Sequence, residues 1–269
     1  MTLKLGVAGT GAIGRYVAEV VGRGQVDGFA LSGVATRRQS SLDALNASLG
    51  MAVPAMDFHE MAETCDWVLE ALPPNLFEDL ARPVLSNGKT LLVLSCSQLL
   101  NRQDLLDLAA QNDARILVPS GAMLGLDAIR AVAVGEIASV VVETRKPVAG
   151  LQKAPYVRNS GLDLSALTEP TRILAGSVNE VAREFPANVN VAAAVSLAGI
   201  GPDRTKMEVW ADPGLTTNQH SVRVTSDSSD FSFSIQNRPS DENPATGRIT
   251  PQSVIALLRR QSATLQVGT

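Results

Sequence analysis

The stretch LKLGVAGTGAIG, residues 3–14, decides the fold. An aliphatic run that reads as a β-strand passes directly into Gly9-Thr10-Gly11-Ala12-Ile13-Gly14, and helical spacing begins at Ala12 and continues to Gly22. GxGxxG at a strand-to-helix junction suits a dinucleotide. The first glycine permits the tight turn, the second lets the backbone approach a pyrophosphate, and the third lets helix and strand pack closely. The helix start then presents free N–H groups and the positive end of its dipole to the phosphates. Gly9, Gly11, Ala12, Ile13 and Gly14 are therefore the candidate cofactor-binding residues.

A site strict for NAD places an acidic residue at the end of the second strand, where it binds the ribose 2′-hydroxyl. Here that strand ends in Thr36-Arg37-Arg38. Two guanidinium groups suit a 2′-phosphate through charge-assisted hydrogen bonds, so Arg37 and Arg38 are cofactor candidates and NADP fits at least as well as NAD. The alternative is a pair of solvated loop residues.

Outward from the turn, short aliphatic runs alternate with helical stretches. Strands are expected at LKLGVA, FALSGVAT, WVLEAL, TLLVLS and RILVPS, with helices at Ala12 to Gly22, near Ser41 to Leu49, at Leu76 to Leu85 and at Asn101 to Gln111. Such βαβ units make a parallel sheet covered on both faces, and right-handed crossovers leave little choice of topology. The expectation is a Rossmann-type doubly wound α/β domain over residues 1–119. After about Ser120 the rhythm changes. ASVVVETRKP, TKMEVWAD, HSVRVTS and DFSFSIQN read as strands of a mainly antiparallel sheet, several alternating so that one face is solvated. With helical stretches at Leu124 to Val134 and Asn188 to Ala198, they predict a second, α+β domain over residues 120–249 for substrate binding and oligomerisation. A last helix at 250–265, with Pro251 in its first turn and Val254, Ile255, Leu257 and Leu258 on one side, is expected to pack back onto the first domain.

The 269 residues, 45% hydrophobic, supply core for one large domain or two modest ones. Net charge is −4 with lysine and arginine scattered, which argues against a nucleic-acid partner. No apolar run reaches the ~18 residues of a membrane span. The opening residues lack the pattern of a signal peptide, and Cys65 and Cys96 make neither a CxxC pair nor a disulfide framework. No membrane association and a cytoplasmic location are expected. Cys96, after a strongly apolar run, reads as a buried inert thiol rather than a nucleophile. His59 reads as solvated, Asp66 and Glu70 need not be an acid/base pair, and neither histidine belongs to a ligand-spaced cluster, so no metal is expected.

Longer motifs narrow the reading. After GTGAIG come PSGAMLGLDAI at 119–129, TRKP at 144–147, FPANVNVAAAVSLAG at 185–199, NQH at 218–220 and NRPSDENPATGRITPQSVIALLR at 237–259. In this order and spacing the chain resembles the L-aspartate dehydrogenase family nearly end to end. The resemblance implies NAD(P)-dependent oxidation of L-aspartate, a dicarboxylic amino acid, to iminoaspartate. That product hydrolyses to oxaloacetate and ammonia or feeds NAD biosynthesis, and the reverse reductive amination is equally allowed. It also implies a homodimer, for which DFSFSIQN could supply a pairing strand, although an internal strand would read the same. It puts the active-site histidine at His220, and cofactor contacts at Ala122 and at the asparagine of PANVN, carried over to Asn188 with Asn190 as the fallback. LEALPPNLF and SCSQLL depart from the commoner pattern, the second reading more like SVGAL in many relatives. Both lie at the ends of expected parallel strands, where open α/β sheets bind ligands.

The residues suit this chemistry independently. Hydride leaves the α-carbon of an amino acid only when nitrogen has a lone pair, so the substrate ammonium must first lose a proton. His220 can take it and then activate the water that attacks the imine. The substrate carboxylates need cationic or N–H partners, for which Arg145, Lys146 and Arg238 are candidates, each also readable as an exposed strand-end charge. Two rivals stand beside this reading. One is another two-domain reductase of the homoserine dehydrogenase or dihydrodipicolinate reductase kind, whose own substrate signatures are not seen. The other is an NAD(P)-binding sensor without chemistry, which needs no His220.

Overall fold

The computed structural model describes residues 2–152, 154–186, 189–240 and 247–268. The chain divides into two units, Met1–Gly121 with Ser240–Val267, and Ala122–Pro239 with Gly268–Thr269.

In the first unit β1 (Leu3–Ala8), β2 (Phe29–Ala35), β3 (Trp67–Glu70), β4 (Thr90–Val93) and β5 (Arg115–Leu117) form one parallel sheet in the order β2-β1-β3-β4-β5. The helices α1 (Ala12–Gly22), α2 (Gln39–Leu49), α3 (Phe58–Thr64), α4 (Phe77–Ser86) and α5 (Gln103–Gln111) lie between the strands in sequence. Every residue of β3 and β4 is buried, as a strand covered on both faces requires. Leu5, Val7, Val17, Val21 and Leu45 belong to one core cluster, and Val68, Leu80, Leu85, Leu91 and Leu105 to another. On α4 the buried residues Phe77, Leu80, Ala81, Val84 and Leu85 follow the i, i+3, i+4 spacing of a single apolar stripe. The chain leaves β1 for β2 on one side and returns to β3 on the other. The order of strands therefore reverses between β1 and β3, the place where such sheets bind ligands at their carboxyl ends. The expected strands and helices of this sheet omit α3, which is only seven residues long and rests on its cap: Asp57 accepts from the Glu60 amide while the Glu60 carboxylate accepts from the Asp57 amide. His59, on its first turn, is exposed.

The second unit contains α6 (Leu126–Val132), β6 (Ile137–Pro147), α7 (Val148–Leu151), α8 (Pro155–Ser160), β7 (Thr171–Ser177), α9 (Val178–Glu184), α10 (Asn190–Ala198), β8 (Lys206–Asp212), β9 (Gln219–Ser226) and β10 (Asp230–Gln236). Its strands make a sheet in the order β10-β9-β6-β8-β7. β10–β9, β9–β6 and β7–β8 are antiparallel while β6 and β8 run parallel, so the sheet is mainly antiparallel, as expected, with one parallel pair that the sequence does not reveal. Alternation along a strand reports which face is buried and is blind to the direction of its neighbour. β7 is absent from the expectations because its residues are half-buried or exposed and alternate weakly.

Side chains alternate across this sheet. Val140, Val142 and Thr144 of β6 share the buried face with His220, Val222 and Val224 of β9 and with Met207, Val209 and Ala211 of β8. Glu143, Arg145, Ser221 and Arg223 point to the other side. α10 packs against β6 and α6. The last helix, α11 (Ile249–Ser262), belongs to the first unit, where Val254, Ile255 and Leu258 join the core cluster that includes Val17, Val20 and Val21 of α1. Among the described residues no helix is long and apolar enough to cross a membrane.

Candidate functional site

In the first unit the site begins at the turn after β1. Gly9 has φ +97°, in the left-handed range, and a Cβ there would overlap the Ala71 carbonyl oxygen. A Cβ on Gly14 would overlap the carbonyl oxygen of Gly9. The turns after β1 and β3 are thus pressed together, and the Ala71 amide donates to the Ala8 carbonyl at 2.8 Å. Gly11 differs: nothing lies within 4 Å of the place its Cβ would occupy. It is the N-cap of the eleven-residue α1, whose first N–H groups receive no side-chain cap and whose first turn holds no acidic residue. Open space above donors at the start of a helix, beside half-buried Ala12 and Ile13, is a cradle that fits a pyrophosphate.

At the end of β2, Thr10 Oγ1 donates to Thr36 Oγ1 at 2.7 Å, linking this turn to the first. Arg37 and Arg38 are exposed, and neither forms an ion pair among the described residues.

Glu70, set aside above as no necessary partner of Asp66, has a structural task. At the carboxyl end of β3 and fully buried, its carboxylate accepts from the amides of Leu72 (2.9 Å), Leu94 (3.1 Å) and Ser95 (2.8 Å) and from Ser95 Oγ (2.9 Å). Burial pushes its pKa up and the four donors pull it down, burial being the stronger. Glu70 therefore ties LEALPPNLF to SCSQLL, the two segments that depart from the commoner family pattern. Asp66 lies beyond the other end of β3, where it accepts from the Lys4 amide at 2.8 Å. Cys96 is buried, and desolvation together with the charge of Glu70 pushes its thiol up to about 12, so it is no nucleophile.

In the second unit β9 places His220 opposite Thr144 of β6 and Ile235 of β10. The imidazole Nδ1 lies 3.1 Å from Thr144 Oγ1, and both residues are buried. Burial, and then the Lys146 ammonium, lower the pKa of His220 to about 4, so the ring is neutral at pH 7. Lys146 is half-buried, two residues beyond Thr144 on the same side of β6, and desolvation lowers its own pKa to about 8.

The other expected residues are distributed differently. Arg145, between Thr144 and Lys146, projects to the opposite face. There its Nε is 2.6 Å from Glu143 Oε1, an Nη is 3.8 Å from Asp212, and the guanidinium lies 5.0 Å from the centre of the Trp210 ring. A depression of about 210 Å³ opens on that side of the sheet, lined by Glu143, Arg145, Ser221 and Gln236 among others, and His220 also contributes to its lining. Arg238 is exposed beyond the end of β10. The Ala122 carbonyl accepts from Nδ2 of buried Asn237 at 3.1 Å, which fixes the segment entering α6. Asn190 is exposed in the first turn of α10, and Asn188 lies outside the described residues. Among the described residues no group of three His, Cys, Asp or Glu side chains could hold a metal ion.

A parallel sheet with a glycine turn where its strand order reverses, followed in the chain by an α+β unit with a buried imidazole, defines the class: a Rossmann-type NAD-binding oxidoreductase. A family model described as homoserine dehydrogenase, NAD binding domain, matches residues 9–119, and one described as aspartate dehydrogenase, C-terminal, matches residues 127–261. L-aspartate dehydrogenase 3 of Bordetella bronchiseptica is 47% identical over 267 residues, 99% of this chain and 98% of its own. L-aspartate dehydrogenase of Bradyrhizobium diazoefficiens is 45% identical over 99% of this chain and 94% of its own. The chain belongs to the L-aspartate dehydrogenase family. Its fold is shared with the crystal structure of aspartate dehydrogenase from Thermotoga maritima (TM-score 0.76, 24% identity, 100% of both chains). It is shared more distantly with scyllo-inositol dehydrogenase from Lactobacillus casei with bound NAD(H) and scyllo-inositol (TM-score 0.56, 14% identity, 96% of this chain and 87% of that one).

Proposed function

We propose that this chain is an NAD(P)-dependent L-aspartate dehydrogenase, which oxidises L-aspartate to iminoaspartate, hydrolysed to oxaloacetate and ammonia, and catalyses the reverse reductive amination. The observation that carries this reading is the buried, neutral imidazole of His220 on the same side of a sheet as Lys146, in a member of this family. When bound, the nicotinamide supplies the acceptor for the hydrogen and electron pair that leave the substrate α-carbon.

The chain's own residues do the rest. Gly9, Gly11, Ala12, Ile13 and Gly14 hold the pyrophosphate at the start of α1; Ala122 and Asn188, or Asn190 in its place, carry over from the family pattern as further contacts. Arg37 and Arg38, exposed where an acidic residue would select NAD, favour NADP. His220 takes the proton from the substrate ammonium. With its pKa near 4 the free ring is a weak base, but a substrate carboxylate beside it stabilises the imidazolium and, by pairing with Lys146, cancels the charge that helps hold the pKa down. Lys146 is thus the cation that orients the dicarboxylate. Arg145, committed to Glu143 and Trp210 on the other face, is not.

The test is an assay with omissions: protein, oxaloacetate, ammonium and NADH or NADPH, followed at the reduced-nicotinamide band. Loss of signal only when oxaloacetate and ammonium are both present, faster with NADPH, is expected. Turnover of another 2-oxo acid in place of oxaloacetate overturns the substrate, and no turnover with any acid favours the sensor. The reading includes a homodimer, supported by β10 at the edge of its sheet with half-buried Phe231, Phe233 and Ile235, and a cytoplasmic location, suited to two buried, unbridged cysteines. Light scattering should give twice the chain mass of 28.3 kDa.

A further inference from the structure

We infer that Thr144 is a positioning residue of the reaction: its hydroxyl oxygen accepts the Nδ1–H of His220 and so keeps the Nε2 lone pair available for the substrate ammonium proton. This rests on His220 being the base, as read above. Neutral imidazole carries one proton on one of two nitrogens, and a ring that accepts at Nε2 must be protonated at Nδ1. A buried Nδ1–H without an acceptor loses a hydrogen bond and gives way to the other tautomer, so whatever faces Nδ1 decides which nitrogen is the base. Thr144 Oγ1 is that partner, at 3.1 Å.

Around this pair on the same face Val142, Val222, Val209 and Ile235 bring only hydrocarbon, and the Lys146 ammonium has donors alone. Asn218 and Asn237, just outside β9 and β10, bring amide groups, of which Asn237 Nδ2 is committed to the Ala122 carbonyl, and Thr144 Oγ1 is the group at hydrogen-bond distance from Nδ1. Thr144 is fully buried, so its hydroxyl does not serve solvent. The contact is also built stiffly. Thr144 and His220 are direct partners across β6 and β9, both internal strands of the sheet, and a β-branched side chain has little rotamer freedom. When Nε2 takes the proton, the imidazolium still donates from Nδ1 to the same oxygen, so this contact need not rearrange as charge develops.

The sequence makes the test direct, because it contains only two histidines. Nitrogen-15 spectra of the imidazole rings, assigned with His59→Gln, report the tautomer of His220 without any turnover. At neutral pH the wild type and Thr144→Ser should show the proton on Nδ1, and Thr144→Val should show it moved to Nε2. Steady-state rates should fall on the order of 10- to 100-fold in kcat for Thr144→Val, below the ~100- to 10,000-fold that general-base catalysis supplies, with KM for aspartate nearly unchanged and most of kcat restored by Thr144→Ser. A wild-type ring protonated on Nε2 overturns the proposal, and so does a kcat within twofold of wild type in Thr144→Val. The wild-type spectrum decides even if that variant fails to fold. Normal turnover by His220→Asn would instead remove the base itself, while the spectra still reported whether Thr144 holds Nδ1.

Discussion

The glycine turn of the first unit and the imidazole–threonine pair of the second are built on different scales. Gly9, Gly11 and Gly14 act within six consecutive residues, and their constraints come from the turn itself and from Ala71, one strand away. Thr144 and His220 are 76 residues apart and meet only because β6 and β9 pair in one register. A slip of one residue in that pairing would send the imidazole to the face occupied by Arg145 and Glu143. A local site survives as long as its turn does, whereas a distributed one inherits every error of its sheet.

This contrast can be broken most sharply at His220. His220→Asn should lower kcat by ~100- to 10,000-fold while the affinity for NADPH, read by fluorescence titration, stays at the wild-type value. Acid should expose the same residue in the folding equilibrium. The folded ring titrates at about 4 and an unfolded one near 6.5, so the unfolded chain binds more protons between those values and stability falls as pH drops through that window. His220 should contribute about 3 kcal/mol of this loss, measured by urea unfolding at both ends of the window, and His220→Asn should remove that part of the pH dependence. In the first unit, Gly9→Ala forces a side chain into left-handed backbone and onto Ala71, a strain of about 1–3 kcal/mol. It should weaken NADPH binding about tenfold or more without moving the His220 ring signals. Glu70→Gln replaces one acceptor oxygen by a donor amid three amides and a hydroxyl. A loss of about 2 kcal/mol in calorimetric or chemical unfolding is expected, with weaker cofactor binding as the turns after β3 and β4 loosen. The smallest effect belongs to Arg37→Ala and Arg38→Ala: each should raise KM for NADPH by about fivefold and leave that for NADH unchanged, since each removes about 1 kcal/mol of a solvated charge contact.

How much of this is legible in the residues follows the same division. The doubly wound sheet, the glycine turn and α11 are written in short-range periodicity, and four strands of the second sheet are placed by alternation. What the pattern withholds is partnership. TKMEVWAD alternates identically whether its neighbour runs with it or against it, and TRILAGS, at a sheet edge, alternates too weakly to be seen. Seven-residue α3 has no long stripe, although its Asp-x-x-Glu cap was there to read. At the site, Glu70 and Thr144 share one overlooked signal, a polar side chain in an otherwise aliphatic strand at a position that alternation or strand context buries. The same alternation separates Arg145 from Lys146, since neighbours on a strand cannot share a face. Asn237 offers no such signal, because its partner is a backbone carbonyl far away in sequence.

The placement of α11 bears on how the protein is made. The apolar side of α1 is covered in part by Val254, Ile255 and Leu258, and Arg259 and Ser262 reach back to the carbonyls of Gln25 and Asp27. All of these are synthesised after residues 122–239. At about 5–20 residues per second a ribosome takes on the order of ten seconds to cross that interval, during which the nascent nucleotide-binding half carries an uncovered greasy flank. The core of the part translated first is therefore completed only after nearly all of the chain has been made.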